Sequence, residues 1–273
     1  MQIKNILTTG ILALAGAALI SSAQATAYVD GDLFLGFRAT SGQGNTNAYL
    51  INIGNYAQYR DAVTTGFALN LGNIKVDLDA TFGSNWSTLG TVRWGVFGTA
   101  QLWDDAVTTN VLYGTKPEVA IGTNVTSWNR RNDSAQSLTS AKVVNAASQY
   151  LIDVGTVNAP KAVIENTSES NDWTEFMPGG SQSTASTSFA IYSPTVEGTF
   201  ANGAAGTRLD LFQLVPGSGA GSYKGYFSIT DTAGVATVSY NGTVAAPEPT
   251  SALLLGMGTG LLGFVRRRQS VSA

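Results

Sequence analysis

The chain has 273 residues, of which 44% are hydrophobic and only 12% charged, about half the charged share of an ordinary soluble domain. It contains neither cysteine nor histidine, which excludes disulfides, thiol nucleophiles, thiolate or imidazole metal ligands and the Ser-His-acid triad. Without the terminal segments, 11 basic and 17 acidic residues remain, a net charge of about −6; this disfavours nucleic acid as a partner and points any glycan ligand toward the uncharged or cationic kind.

In chain order, residues 1–27 open with Lys4, continue with an apolar stretch over 6–20 and close on small residues. This three-part order is that of a secretory signal peptide. Ala27 is the preferred residue for cleavage and Ala25 the second, with signal peptidase as the implied partner. Residues 28–244 then read as one β-rich extracytoplasmic domain. Period-two alternation predicts strands at 31–38 (Leu33, Leu35 and Phe37 on one face), 74–79, 92–97 and 223–229, each with one buried face. Further strands are expected at 48–53, 67–71, 110–113, 189–192, 209–215 and 236–240, and the pair at 223–230 and 236–240 forms a hairpin across 231–235.

One long helix is predicted over 134–152. Its apolar stripe is Leu138, Ala141, Val144, Ala147 and Leu151, Asp133 and Gln136 resemble a capping box, and Gly155 follows its end. A short helix is expected near 55–63. The predicted fold class is mainly β: a single antiparallel, sandwich-like domain carrying one or two helices.

Candidate chemistry is sparse. Glycoside hydrolysis needs two carboxyls about 5–9.5 Å apart; Asp77 and Asp79 on one strand face, the neighbours Asp104 and Asp105, and the group Glu165, Glu169, Asp172 and Glu175 are the candidates. None sits in a recognisable signature, so the expectation is no enzyme activity, no catalytic residue and no cofactor. Trp128 and Trp173 stand in polar surroundings and are the candidate glycan-stacking rings, whereas Trp94 lies in a strand pattern and reads as core. Asp30-Gly31-Asp32 suggests calcium but lacks the rest of a calcium loop, so a turn and no metal site is expected.

Beyond a linker, the chain ends in Pro247-Glu248-Pro249, a 14-residue apolar stretch at 252–265 containing four glycines, and Arg266-Arg267-Arg268. As a helix that stretch spans about 21 Å, short of the roughly 30 Å hydrocarbon core. The arginines stay cytoplasmic, since each costs about 2.5–3.5 kcal/mol at the bilayer centre. The two prolines hold Glu248 extended and outside the helix.

Tripeptide, short apolar helix and arginine cluster, in that order, resemble the PEP-CTERM sorting signal; Ala246 stands where valine is common, and residues 269–273 extend past the arginines. The resemblance assigns 245–273 to a transmembrane sorting tail. It implies processing by an exosortase, a membrane-embedded transpeptidase-like enzyme of Gram-negative bacteria that also make extracellular polysaccharide. The chain is then transiently anchored in the inner membrane before reaching the cell surface or the extracellular biofilm matrix. The function expected is a structural or adhesive role beside that polysaccharide. The alternative is a polysaccharide-binding module, and a secreted glycan hydrolase comes third.

Overall fold

The computed structural model describes residues 28–242 except 63–65, 103–107, 124, 154–156, 184–187, 190–191, 193–195 and 233. The expectations for the signal peptide, the sorting tail, Gly155 and the pair Asp104 and Asp105 lie outside the described residues.

Ten strands form a single sheet among the described residues: β1 (Asp32–Ala39), β2 (Asn47–Asn55), β3 (Phe67–Ala68), β4 (Val92–Ala100), β5 (Val111–Pro117), β6 (Ala162–Asn166), β7 (Gly198–Thr199), β8 (Arg208–Leu214), β9 (Ser222–Thr232) and β10 (Val235–Gly242). Their order is β3-β10-β9-β8-β5-β4-β1-β2-β6, with β7 added beside β4. Every pairing is antiparallel. The predicted hairpin is present, with Val235 paired to Thr232. The mainly β, antiparallel fold class therefore holds.

The sandwich-like core comes from one sheet curling around its own inner face. The short helix α1 (Ala57–Arg60) touches β2, β9 and β10. Strands β2 and β10 are six places apart in the sheet, which in a flat sheet is about 29 Å. Only curvature lets one turn of helix meet both. The inner face carries Leu33, Phe37, Tyr49, Trp94, Leu211 and Phe227, closed by Tyr59 of α1 and by Leu78. The outer face carries Phe34, Leu50, Phe97, Leu112 and Phe212, covered by the long helix α3 (Asp133–Ile152) and by Trp173, Phe176, Met177, Phe189 and Val196.

Because neighbours alternate in direction, the strand ends sort onto two rims. The start of β1 and the end of β10 share one, here the near rim. The end of β1, the starts of β2 and β4 and the end of β6 share the far rim, as the pairs Ala39 with Val92 and Asn47 with Asn166 require.

Several expectations are corrected. Residues 74–79 belong to a helix, α2 (Ile74–Phe82), not a strand. The alternation there is short enough to be read either way, and the helical spacing wins: Ile74, Leu78 and Phe82 are buried while Val76 is 45% exposed. Lys75 and Asp79 form an i,i+4 ion pair at 2.9 Å of the kind that supports helices. In α3 the stripe is rotated by about one position. Leu138 and Leu151 are each 48% exposed; of the expected stripe Ala147 is buried, and Gln136, Thr139, Ser140, Val143, Ala146 and Tyr150 join it in place of the rest. Its N-cap is Asn132, which accepts from the Ala135 N–H at 2.9 Å, while Gln136 is drawn inward to donate to the Asn110 and Leu214 carbonyls.

Phe189 and Tyr192 do not lie in a strand. β6 and β7 carry no period-two signal strong enough to predict. Finally, β1 is buried at all eight positions, because its neighbours and both coverings leave it no solvent face.

Candidate functional site

The outer face holds most of the buried charge, while the inner face buries the carboxyl of Asp77. Arg38, on the outer side of β1, is buried and makes a two-pronged contact with Glu197: Nε donates to Oε1 at 2.7 Å and Nη2 to Oε2 at 2.5 Å. Nη2 also donates to the Pro178 carbonyl at 2.7 Å, tying the loop 178–181 to the sheet. Burial pulls the guanidinium down, but the hydrogen bond and charge of Glu197 outweigh it, so its pKa lies above the ordinary value.

Directly opposite Arg38 in the β1–β4 register stands Arg93. Its Nε is buried without a hydrogen-bond partner among the described residues. Both arginines line a cleft of about 360 Å³ at the far rim, walled by Thr40, Asn45, Thr167, Glu175 and the loop Pro178–Gly179–Gly180–Ser181. Glu175 is turned toward that loop, accepting from Gln182 Nε2 at 2.8 Å and Ser181 Oγ at 3.2 Å.

Behind the cleft the chain gathers four carboxyls. Glu165 of β6 and Asp172 are fully buried. Burial and the mutual proximity of the pair raise Glu165 well above the usual carboxylate range, and burial also raises Asp172. Both Glu165 oxygens and Asp172 Oδ2 lack a side-chain donor among the described residues; ionised carboxylates only accept, so one proton held between the two satisfies both. Asp153 is pushed up to about 6, chiefly by burial. Gln149 Nε2 donates to Asp153 Oδ1 at 3.1 Å and to Glu169 Oε2 at 3.0 Å. A second acidic pair at the far rim joins Asp210, raised to about 6 chiefly by burial, to Glu118, which Arg208 contacts at 3.0 Å.

The predicted site residues fall out as follows. Trp128 and Trp173 are corrected: they are 2% and 0% exposed and cannot serve as open stacking platforms. Trp173 stacks on Phe97 at 5.4 Å and Trp128 on Tyr192 at 6.0 Å. Each lies over a strand glycine. A Cβ at Gly36 would meet the Trp173 ring at 2.6 Å, and one at Gly114 the Trp128 ring at 2.9 Å. Glycine inside a strand marks such close approach, and this is the signal that could have placed both rings.

Trp94 is core as expected, its Nε1 donating to the Gly206 carbonyl at 2.8 Å. Asp77 and Asp79 separate on α2. Asp77 is buried and accepts from Tyr49 Oη, Asn158 and the Ala159 N–H at 2.6–3.0 Å, whereas Asp79 accepts from Lys75 and the Trp86 indole. Asp30 and Asp32 hold their own turn, accepting from the Gln101, Leu102 and Val29 N–H groups and from Asn52. Of the predicted group Glu165, Glu169, Asp172 and Glu175, the first three are brought together, while Glu175 turns to Ser181 and Gln182. Arg38, Arg93, Glu197 and Asp153 were missed, although an arginine beside the alternating run of β1 is visible in the sequence.

Fold and tail together define a class, a mainly β domain followed by a C-terminal sorting motif. The family model of the PEP-CTERM protein-sorting motif matches residues 245–269. The chain is a PEP-CTERM domain-containing protein, and the motif marks it as an exported protein sorted to the cell surface through an exosortase. No curated protein and no solved structure matches the chain. Pro247, Glu248, Pro249 and Arg266 fall within the match, as do Arg267 and Arg268.

Proposed function

We propose that this chain is a non-catalytic surface or matrix protein with a structural or adhesive role beside extracellular polysaccharide. In this reading a signal peptidase and then an exosortase process it at the inner membrane of a Gram-negative bacterium. The observation that carries the reading is the sorting motif at 245–269. The burial of the acidic pairs supports the non-catalytic part. Glu165, Asp172 and Asp210 are fully buried and Glu118 nearly so, which keeps them from a polymer substrate.

Intact-mass measurement of the surface species tests the processing. The expected mass lacks residues 1–27 and everything from about residue 251 onward; a surface species that still contains 252–268 makes the tail a plain anchor. Replacing Pro247, Glu248 and Pro249 with alanine should leave a full-length form in the inner membrane. Retention of the wild-type chain on matrix polysaccharide tests the role itself, and a protein recovered entirely in the culture medium contradicts it.

A further inference from the structure

Two arginines placed directly opposite on paired strands repel each other unless their charge is balanced. Glu197 pairs with Arg38, whereas among the described residues Arg93 makes no ion pair and its buried Nε has no hydrogen-bond partner. Polar side chains, Thr40, Asn45 and Thr167, surround it in the cleft, and the cleft volume is in the range of small-molecule sites. A planar guanidinium matches a carboxylate in two-pronged fashion, and hydroxyl and amide walls match a polyhydroxylated body.

We propose that the far-rim cleft binds an acidic saccharide unit, a uronic acid, with Arg93 as the principal donor to its carboxylate. This names a ligand class for the matrix role proposed above and rests on that reading for its source. It also reverses locally what the net charge of the domain predicts. The Arg38–Glu197 pair acts as positioning hardware, fixing the 178–181 loop through the Pro178 carbonyl. Glu175 on the same wall opposes an incoming carboxylate and so limits affinity.

Calorimetric titration of the full chain with glucuronate, a glucuronate oligosaccharide and glucose tests the inference. Glucuronate should saturate the protein and glucose should not. Arg93→Gln should weaken glucuronate binding at least about tenfold, the scale of one lost charged hydrogen bond, and Glu175→Gln should strengthen it. Tighter binding of the oligosaccharide assigns a polymer as the source, and equal binding assigns the free acid.

Absence of glucuronate binding, equal binding of glucose, or unchanged binding by Arg93→Gln overturns the proposal. Should Arg93→Gln lose its cooperative melt, an unchanged affinity in Glu175→Gln overturns it instead. Matrix retention measured in parallel separates the two readings. Retention without glucuronate binding removes only the cleft, whereas glucuronate binding without retention removes the matrix role.

Discussion

The two faces of the sheet are buried by different chemistry. Inside the curl, aromatic rings pack on one another: Phe37 stacks on Trp94, Tyr59 meets Tyr240 edge-on at 5.0 Å, and the phenols donate inward, Tyr59 Oη to the Ile53 carbonyl at 2.6 Å. The polar atoms there have partners close in the fold. Asp77 alone accepts from three residues. The outer face buries ionisable groups instead: Arg38 against Glu197, and Glu165 against Asp172. An apolar, satisfied face contributes stability through transfer and packing, and tolerates little change of volume. A face of buried charge contributes little net stability, because desolvation offsets attraction, but it is severe on any change that orphans one partner.

Experiments can break this contrast, beginning with the largest effect. Trp94→Ala empties the centre of the inner face and removes the bond to Gly206; a loss of about 3–5 kcal/mol in denaturant unfolding is expected. Should it cost under about 1 kcal/mol, the inner face is not the main core.

On the outer face, Glu197→Ala leaves a buried guanidinium unpaired and should cost close to the same, about 3–5 kcal/mol, yet Arg38→Met combined with Glu197→Met should recover most of it. A double variant as unstable as the single one means that the pair is a true stability element, and the contrast fails.

Third comes pH. Asp153 and Asp210 each stand near 6 in the fold, and Glu165 and Asp172 are raised as well, chiefly by burial. The native state therefore holds more protons than the unfolded chain above about pH 4, so stability falls as pH rises and, for Asp153 and Asp210, the fall is complete above their folded-state values. Asp210→Asn should flatten that slope by on the order of 1–2 kcal/mol between pH 5 and 8. A melting temperature that rises over this range contradicts the protonated outer face.

The smallest effect belongs to Leu138→Ser on the exposed side of α3, which should shift stability by no more than about 0.5 kcal/mol; a large loss restores the stripe expected from the sequence.

That stripe shows how far the sequence could be read. Strands β1, β4 and β9 announce themselves by alternation, and in β1 the inner residues Leu33, Leu35 and Phe37 fall where it places them. Alternation cannot say whether the other face meets water, and so Arg38 and Arg93 read as solvated although they line a cleft over a buried ion pair. In α3 the first part of the buried side is polar, with Gln136, Thr139 and Ser140 inward, because it packs on a sheet face that offers carbonyl and hydroxyl partners such as Thr99 at 2.6 Å from Ser140. Hydrophobic spacing chose the wrong side for that reason. The carboxyl cluster was visible as a group, but Asp153, which joins it through Gln149 and Glu169, is brought there by contact alone. Trp173, Phe176, Met177, Phe189 and Val196, which pack on the outer face, follow no helical or strand period, and only tertiary contact brings them there.

The alternation of strand directions has a consequence for where the chain enters and leaves the domain. β1 begins and β10 ends on the near rim, so both ends of the described chain emerge at one pole. Neither exit leaves a loose edge, since β10 is held between β9 and β3 and β1 between β4 and β2. The arginine cleft lies at the opposite pole, clear of both exits.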